Sequence, residues 1–241
     1  MHPDLKIKLQ IGTSDSKVDA AMETTLNWML GTDYEHKVAA FCGGYHSAIA
    51  GPVASNAAVF KTPQVIWGAS SATLSDRELY PFITRVVSPD DLQAAAVWAW
   101  MNHFEVPAAG VLYAREAFSS GLFQGLMDLA GSAGQSSRLA GISYAAVLGE
   151  AGENIDAVVA AVESVRNTGM RFVITFPPDA GATFTTLNAF EMLGMFQSHH
   201  LLGADSLIGW SGSQWPTGLH WFRQQYAGPL YPRFLSMWRS M

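Results

Sequence analysis

The chain has 241 residues, enough for one large or two small domains with a sizeable core. Hydrophobic residues make up 49% of it and charged residues only 14%, a globular but sparingly charged composition. A net charge of −6 with no basic run disfavours a nucleic-acid partner, and a single cysteine, Cys42, excludes an internal disulfide and any multi-thiolate metal site. No apolar run approaches the ~20 residues of a membrane span. The opening MHPDLKIK lacks the apolar core of a signal peptide, so the chain is expected to be either intracellular or a piece of something longer.

Strands and helices alternate along the sequence. LKIKLQI, residues 5–11, alternates apolar and polar positions and predicts a half-buried strand. Asp15 or Ser16 is placed to cap a helix whose apolar positions run from Val18 to Leu30 at 3.6-residue spacing, ended by Gly31. VAAF (38–41) predicts a short buried strand, with Cys42 at its end packing as a small hydrophobe. A helix of small residues follows over 47–60, then strand QVIW (64–67) and strand ITRVV (83–87). Ser88-Pro89-Asp90-Asp91 forms a turn that suits a helix N-terminus, and the helix extends over 91–104. Trp98 and Trp100 lie on adjacent faces of it, one toward a core and one toward the surface or an interface.

Beyond it come strand AAGVLY (108–113), a helix over 119–130, a Gly/Ser/Gln linker and strand ISYAAV (142–147). IDAVVAAVESVRNTG predicts a helix closed by Gly169. Strand RFVITF (171–176), a helix over 182–196 and strand SLIGW (206–210) complete the series, before a tail dense in aromatic residues. Such alternation implies an α/β fold with parallel sheets covered by helices, in two like-built lobes that meet near Pro89.

Ligands of such sheets bind beyond the carboxyl ends of the strands, near helix N-termini. Two turns fall there: GGYHS (43–47) and GASS (68–71). Ser47 and Ser70 are placed to aim hydroxyls, with nearby backbone N–H groups, at an anionic or zwitterionic group. The plainer reading is that these turns only join strands to helices.

The order of motifs in this region carries a resemblance. Gly43-x-x-x-Ser47, the TPQ before the second strand, the GASS turn, LSD (74–76) and the run Arg85-Val86-x-x-x-Asp90-x-x-Gln93 resemble the receptor family ligand-binding region. That family includes ectodomains of class C G-protein-coupled receptors and natriuretic-peptide receptor guanylyl cyclases, and bacterial branched-chain amino-acid binding proteins. A weaker match through VLYAREAFSSGL, RFVITF and SLIGW extends it over residues 5–215. The resemblance implies a two-lobe, type 1 periplasmic-binding-protein-like fold that closes on a ligand. Lobe one is expected over 1–88 and lobe two over 89–209. Residues 210–241 are expected to be a tail leading back toward lobe one, in a fragment incomplete at both ends.

By the same resemblance Ser47, Gly68 and Ser70 hold the ligand, Asp90 is the acidic residue at the lobe crossing, and Phe118 stands nearest the aromatic residue that stacks on amino acids. The family's later acidic residue has no match in LIGWSGSQW, where Ser211 stands. GPVA (51–54) looks more like the natriuretic-receptor branch, whose ligand is a peptide gripped between subunits. The implied protein is a non-enzymatic, cell-surface receptor domain, with a small ligand or a peptide as partner. It is expected to dimerise through lobe one, and to meet the membrane only through segments outside this chain. A longer receptor would leave Cys42 open to a disulfide partner outside this chain.

Neither a cofactor nor a metal is expected. Neighbouring His199 and His200 diverge on a helix or loop without a third ligand and read as packed or solvated. Asp90-Asp91 fits helix capping better than paired acid/base carboxylates. No G-x-S-x-G elbow, P-loop, G-x-G-x-x-G or H-E-x-x-H occurs, which disfavours an enzyme. The alternatives are a soluble periplasmic-type amino-acid binding protein, an uncharacterised α/β enzyme, and a scaffold that binds nothing.

Overall fold

The computed structural model describes residues 8–31, 37–145, 155–204 and 219–221. The fold is α/β: two parallel sheets flanked by helices. The first sheet has the order β1-β2-β3, with β1 Phe41–Cys42, β2 Gln64–Ile66 and β3 Ile83–Arg85. The second has the order β5-β4-β6-β7-β8, with β4 Ala109–Ala114, β5 Leu139–Tyr144, β6 Phe172–Phe176, β7 His200–Gly203 and β8 Leu219–Trp221. Every described strand pair is parallel.

Helices α1 (Val18–Leu30) and α2 (Ser47–Val59) pack on each other beside the first sheet. Gly31 ends α1 in a left-handed conformation, φ 72°, its N–H donating to the Asn27 carbonyl at 2.9 Å. At the other end the expectation fails. Asp15 and Ser16 sit at positive φ in a tight turn, Lys17 takes the cap position without a side-chain cap, and within the first turn Asp19 Oδ1 accepts from the Ala20 N–H at 2.9 Å. Residues 8–11 carry no strand, as no strand among the described residues pairs with them; residues 5–7 of that prediction lie outside the described residues.

In α2 the small residues Ala50, Gly51, Ala54 and Ala57 are all buried, and Pro52 sits inside the helix. Such a surface lets a neighbouring backbone approach closely. Among the described residues, helices pack on one side of the first sheet. Phe41, Gln64, Ile66 and Ile83 are buried, while Cys42, Val65 and Thr84 form an in-register exposed row. Cys42 is thus a correction: it lies at the end of its strand as expected, but its side chain points away from the helices and is exposed.

The second sheet is sandwiched. Helices α3 (Asp90–His103) and α4 (Ala117–Ser132) cover one face, where Val97, Met101, Leu122 and Leu126 pack on Val111, Ile174 and Phe176. Helices α5 (Ile155–Asn167) and α6 (Ala180–Met192) cover the other, where Val162, Val165, Leu187 and Phe190 pack on Leu112, Val173 and Leu201. Alternate strand residues serve alternate faces, and each fully buried aliphatic side chain contributes roughly 1.5–3 kcal/mol. Gly110 makes room for α5, since a Cβ there would meet Val165 Cγ1 at 2.7 Å. Trp98 and Trp100 both lie partly buried against this core, and the Arg138 guanidinium stands 4.9 Å over the Trp98 ring.

Two strands depart from the sequence reading. His200 opens β7 and stacks on Phe172 at 5.2 Å, so the second histidine is a strand residue packed on its neighbour. Leu219–Trp221, within the expected tail, adds to the second sheet beside β7. The expected strand over 206–210 lies outside the described residues.

Candidate functional site

The carboxyl ends of the two sheets face each other, and the turns that leave them make up the site. Gly43 and Gly44 follow β1 at φ 149° and 90°. Gly44 also has no room for a side chain, since a Cβ would lie 3.1 Å from Ala50 Cα. The double glycine swings the chain so that Tyr45, His46 and Ser47 lead into α2. The turn after β2 runs past Trp67 and Gly68 to Ser70 and Ser71.

These turns are bonded to each other. Ser47 is buried, and its Oγ accepts from the Ser71 backbone N–H at 3.1 Å. The Ser70 carbonyl accepts from the Asp90 backbone N–H at 2.9 Å and from Arg85 Nη1 at 3.2 Å. Arg85 also donates to the Ser71 carbonyl at 2.8 Å and to Ser75 Oγ. Burial lowers the Arg85 pKa, and the charges of Asp90 and Asp91 partly offset this. Asp90 is 1% exposed and opens α3, with Pro89 at the cap position, so it sits beneath the turn and does not cap the helix through its side chain. No described residue hydrogen-bonds the Ser70 hydroxyl.

An aromatic group missed by the sequence reading sits over this floor. Tyr45 and Trp67 are each about half exposed, at 55% and 52%, with ring centroids 5.1 Å apart. Tyr45 also meets the His46 ring edge-on at 5.1 Å. Its own ring lies flat against Gly68, where a Cβ would come within 2.8 Å of Tyr45 Cε2. Gly68 therefore serves as the space under an aromatic ring. The signal in sequence was Tyr45 in the first turn and Trp67, which the sequence places at the end of strand 64–67 and the structure places just after β2 Gln64–Ile66.

The second sheet supplies the opposite side. Ser71 Oγ lies 3.4 Å from the Ala117 carbonyl at the start of α4, and Gly121 one turn on faces the same hydroxyl. Glu116 caps α4 by accepting from the Phe118 N–H at 2.8 Å and from the Ser119 N–H. Asp179 caps α6, accepting from the Ala182 N–H at 2.8 Å. Burial lowers the pKa of His46, and the charges of Asp179 and Glu116 oppose that shift. Tyr144, at the end of β5, is buried beside Thr186 in the field of the same two carboxylates, and burial pushes its phenol above the usual range. Both acids were legible as residues just ahead of a small-residue helix, a capping signal that the sequence reading passed over.

Of the five residues expected from sequence, the structure brings Ser47, Gly68 and Ser70 to one turn pair, with Asp90 tied to Ser70 through the backbone. Phe118 is elsewhere: its ring is 9% exposed and packs in the core with Leu122 and Phe176. Its neighbour Ala117 is the residue that meets Ser71. Among the described residues no cluster of three or more metal-ligating side chains occurs, and no helix is long and apolar enough to cross a membrane.

Two parallel α/β sheets with their carboxyl-end turns opposed define a ligand-binding domain of the periplasmic-binding-protein-like class. The chain belongs to the receptor family ligand binding region, which it matches over residues 1–222. It is similar to taste receptor type 1 member 3 of Felis catus, 34% identical over 110 residues, covering 42% of this chain and 12% of the relative. It is also similar to taste receptor type 1 member 3 of Canis lupus familiaris, 36% identical over 78 residues, covering 29% of this chain and 9% of the relative. The match thus spans about a tenth of the length of these curated relatives.

Proposed function

We propose that this chain is the extracellular ligand-binding part of a cell-surface receptor, which closes on a small ligand such as an amino acid or a derivative and signals through that closure. Lobe one, residues 1–88, contributes Ser47, Gly68 and Ser70; lobe two, residues 89–209, begins at the Asp90 crossing and supplies the closing jaw. The observation that carries the reading is the opposition of two kinds of turn. Hydroxyl-bearing turns of the first sheet lie against the N-terminus of α4, where Ser71 touches Ala117, and the charges of Glu116 and Asp179, which cap α4 and α6, act on His46.

Closure follows from differential affinity. A ligand docked on Ser47 and Ser70 alone binds open and closed forms equally and shifts nothing. A ligand that also reaches the Glu116 and Asp179 side binds the closed form better, and the population moves by that difference. No described residue uses the Ser70 hydroxyl, and Ser47 Oγ accepts from the Ser71 N–H, which leaves its own O–H to donate to a ligand. Phe118 supports the jaw from within the core. In a receptor that dimerises through lobe one, the change in lobe angle is transmitted to the partner subunit and so to the membrane. The taste-receptor relatives support a cell-surface, ligand-sensing setting.

Calorimetric titration of the 241-residue chain with amino acids and small acids tests this, with Ser70→Ala as the control. The expected result is a saturable heat that weakens about tenfold in the variant, as loss of a hydrogen bond to a charged group would give. Unchanged affinity in Ser70→Ala and in Ser47→Ala would reject the site.

A further inference from the structure

We infer that Gln64 is a positioning residue of the first jaw: its side-chain amide clamps the Gly43–Gly44 turn and so sets Ser47 for its bond to Ser71. This role deepens the proposed ligand-binding function, and its bearing on affinity rests on that reading.

Gln64 is the polar member of a buried row. It opens β2 and is 1% exposed, in register between Phe41 and Ile83, which are both buried. A buried glutamine is informative, because an apolar side chain of the same length would fill a sheet core without a polar group to satisfy. The Gln64 Nε2 donates to the Gly43 carbonyl at 3.2 Å. Its Oε1 is buried with no donor among the described residues. Turning the amide round does not mend this, since Oε1 would then face the carbonyl oxygen of Gly43. An unpaired buried amide oxygen costs stability, so packing alone does not account for the residue. The hydrogen bond to the turn does.

Both polar groups of Gly43 are tied to β2. Its N–H donates to the Val65 carbonyl at 3.0 Å, while its own carbonyl accepts from Gln64. Gly44 follows at φ 90°, where a Cβ would lie 3.1 Å from Ala50 Cα and 3.2 Å from Gln64 Nε2. The peptide between the two glycines is thereby wedged between the start of β2 and the first turn of α2. His46 takes the cap position of α2 without a side-chain hydrogen bond, so the turn ahead of it fixes where the helix starts. Three residues after Gly44, Ser47 Oγ meets the Ser71 N–H in the turn that leaves the other end of β2. One strand thus governs both partners of that bond: Ser71 through the backbone, and Ser47 through the Gln64 amide.

Amide hydrogen exchange of the 241-residue chain, followed by NMR, tests this without a ligand. In the parent the Gln64 side-chain amide should exchange at least about tenfold more slowly than that of exposed Gln135. Gln64→Met keeps an unbranched side chain of similar length and removes both the donor and the orphan acceptor. Its urea midpoint should stay close to the parent's, while the Ser71 N–H exchanges about tenfold faster, as in Ser47→Ala. The Val111 and Ile174 amides of the second sheet should not change. Ile83→Val trims the same row but has no hydrogen bond to the turn to lose, and should not release Ser71 selectively. Equal exchange of the Gln64 and Gln135 side chains in the parent overturns the inference, and this measurement decides even if Gln64→Met does not fold. Ser71 as protected in Gln64→Met as in the parent overturns it too. Calorimetry with L-leucine, L-glutamate and succinate then reads affinity, which should fall about as far in Gln64→Met as in Ser47→Ala. Affinity lowered in Ser47→Ala but unchanged in Gln64→Met overturns the part of Gln64 in binding and leaves the proposed function standing. Heat from none of the three counts against the proposed function, while the exchange rates alone decide the clamp.

Discussion

Ser47 Oγ accepts the backbone N–H of Ser71 at 3.1 Å, joining the turn after β1 to the turn after β2. Both residues are buried, so the bond ties the two turns together beneath the exposed surface. Ser47→Ala leaves a buried N–H without a partner, which costs about 1–3 kcal/mol. Ser70→Ala removes a hydroxyl that no described residue uses, and should cost well under ~1 kcal/mol. Urea unfolding of the two variants separates these outcomes. Equal losses would mean that the two serines share one role.

Phe118 gives the contrasting case. Its ring belongs to the core on the α3–α4 side of the second sheet, with Leu122, Ile174 and Phe176. Phe118→Ala is expected to destabilise by about 3–5 kcal/mol, and Phe118→Leu by considerably less. Ligand affinity measured on Phe118→Leu, which keeps the fold, should be close to that of the parent. A selective loss of affinity in that variant would return Phe118 to the binding surface.

Cys42 stands in the exposed row of the first sheet with Val65 and Thr84. Under native conditions its thiol should react with a maleimide at a rate close to that of the urea-unfolded chain. Strong protection in the folded chain, independent of concentration, would show that another segment of the chain covers this face. Protection that grows with concentration would point to a second copy.

Among the described residues, His46 and, through burial as well, His199 act on the acid side, and Tyr144 acts on the alkaline side. Burial holds the folded-state pKa of His46 below its ordinary value of 6.5. The unfolded chain therefore binds more protons near pH 6, so this contribution is complete above 6.5 and is lost as pH falls through the lowered value. One proton limits the slope to ~1.4 kcal/mol per pH unit. Tyr144 works in the other direction: burial raises its phenol, so its contribution is complete below its ordinary value of 10.0 and falls as pH rises past it. Unfolding free energies between pH 5 and 11 should show a peak, with His46→Asn flattening the acid side and Tyr144→Phe the alkaline side. An acid limb unchanged in His46→Asn would show that burial of this imidazole does not govern it.

Much of the fold was legible because alternation of apolar strands and helices is a local property. The 3.6-residue spacing of Ala21, Met22 and Met29 marked α1, and the apolar runs at 109–114 and 172–176 marked strands buried on both faces. Misses came where a neighbour decides. Residues 8–11 alternate like a strand but no strand among the described residues pairs with them, and Leu219–Trp221 is short but becomes a strand because β7 offers an edge. In the site, glycine and serine turns were readable as connectors at the carboxyl ends of strands. Tyr45 and Trp67 were not: Tyr45 stands in a turn where an aromatic residue carries no periodic signal, and Trp67 reads as the last residue of strand 64–67, while the structure ends β2 at Ile66.

By itself the sequence determined the α/β class, the helices' apolar faces and the placement of Ser47, Gly68 and Ser70 on two strand-end turns, since these follow from residue spacing along one element. Only the tertiary structure decided which groups face one another. It put Phe118 into the core, turned Cys42 outward, laid Tyr45 over Gly68 and brought Glu116 and Asp179 within electrostatic reach of His46. Those outcomes join segments up to 133 residues apart, as where the charge of Asp179 acts on His46, and burial and charge there are set by packing across the two sheets.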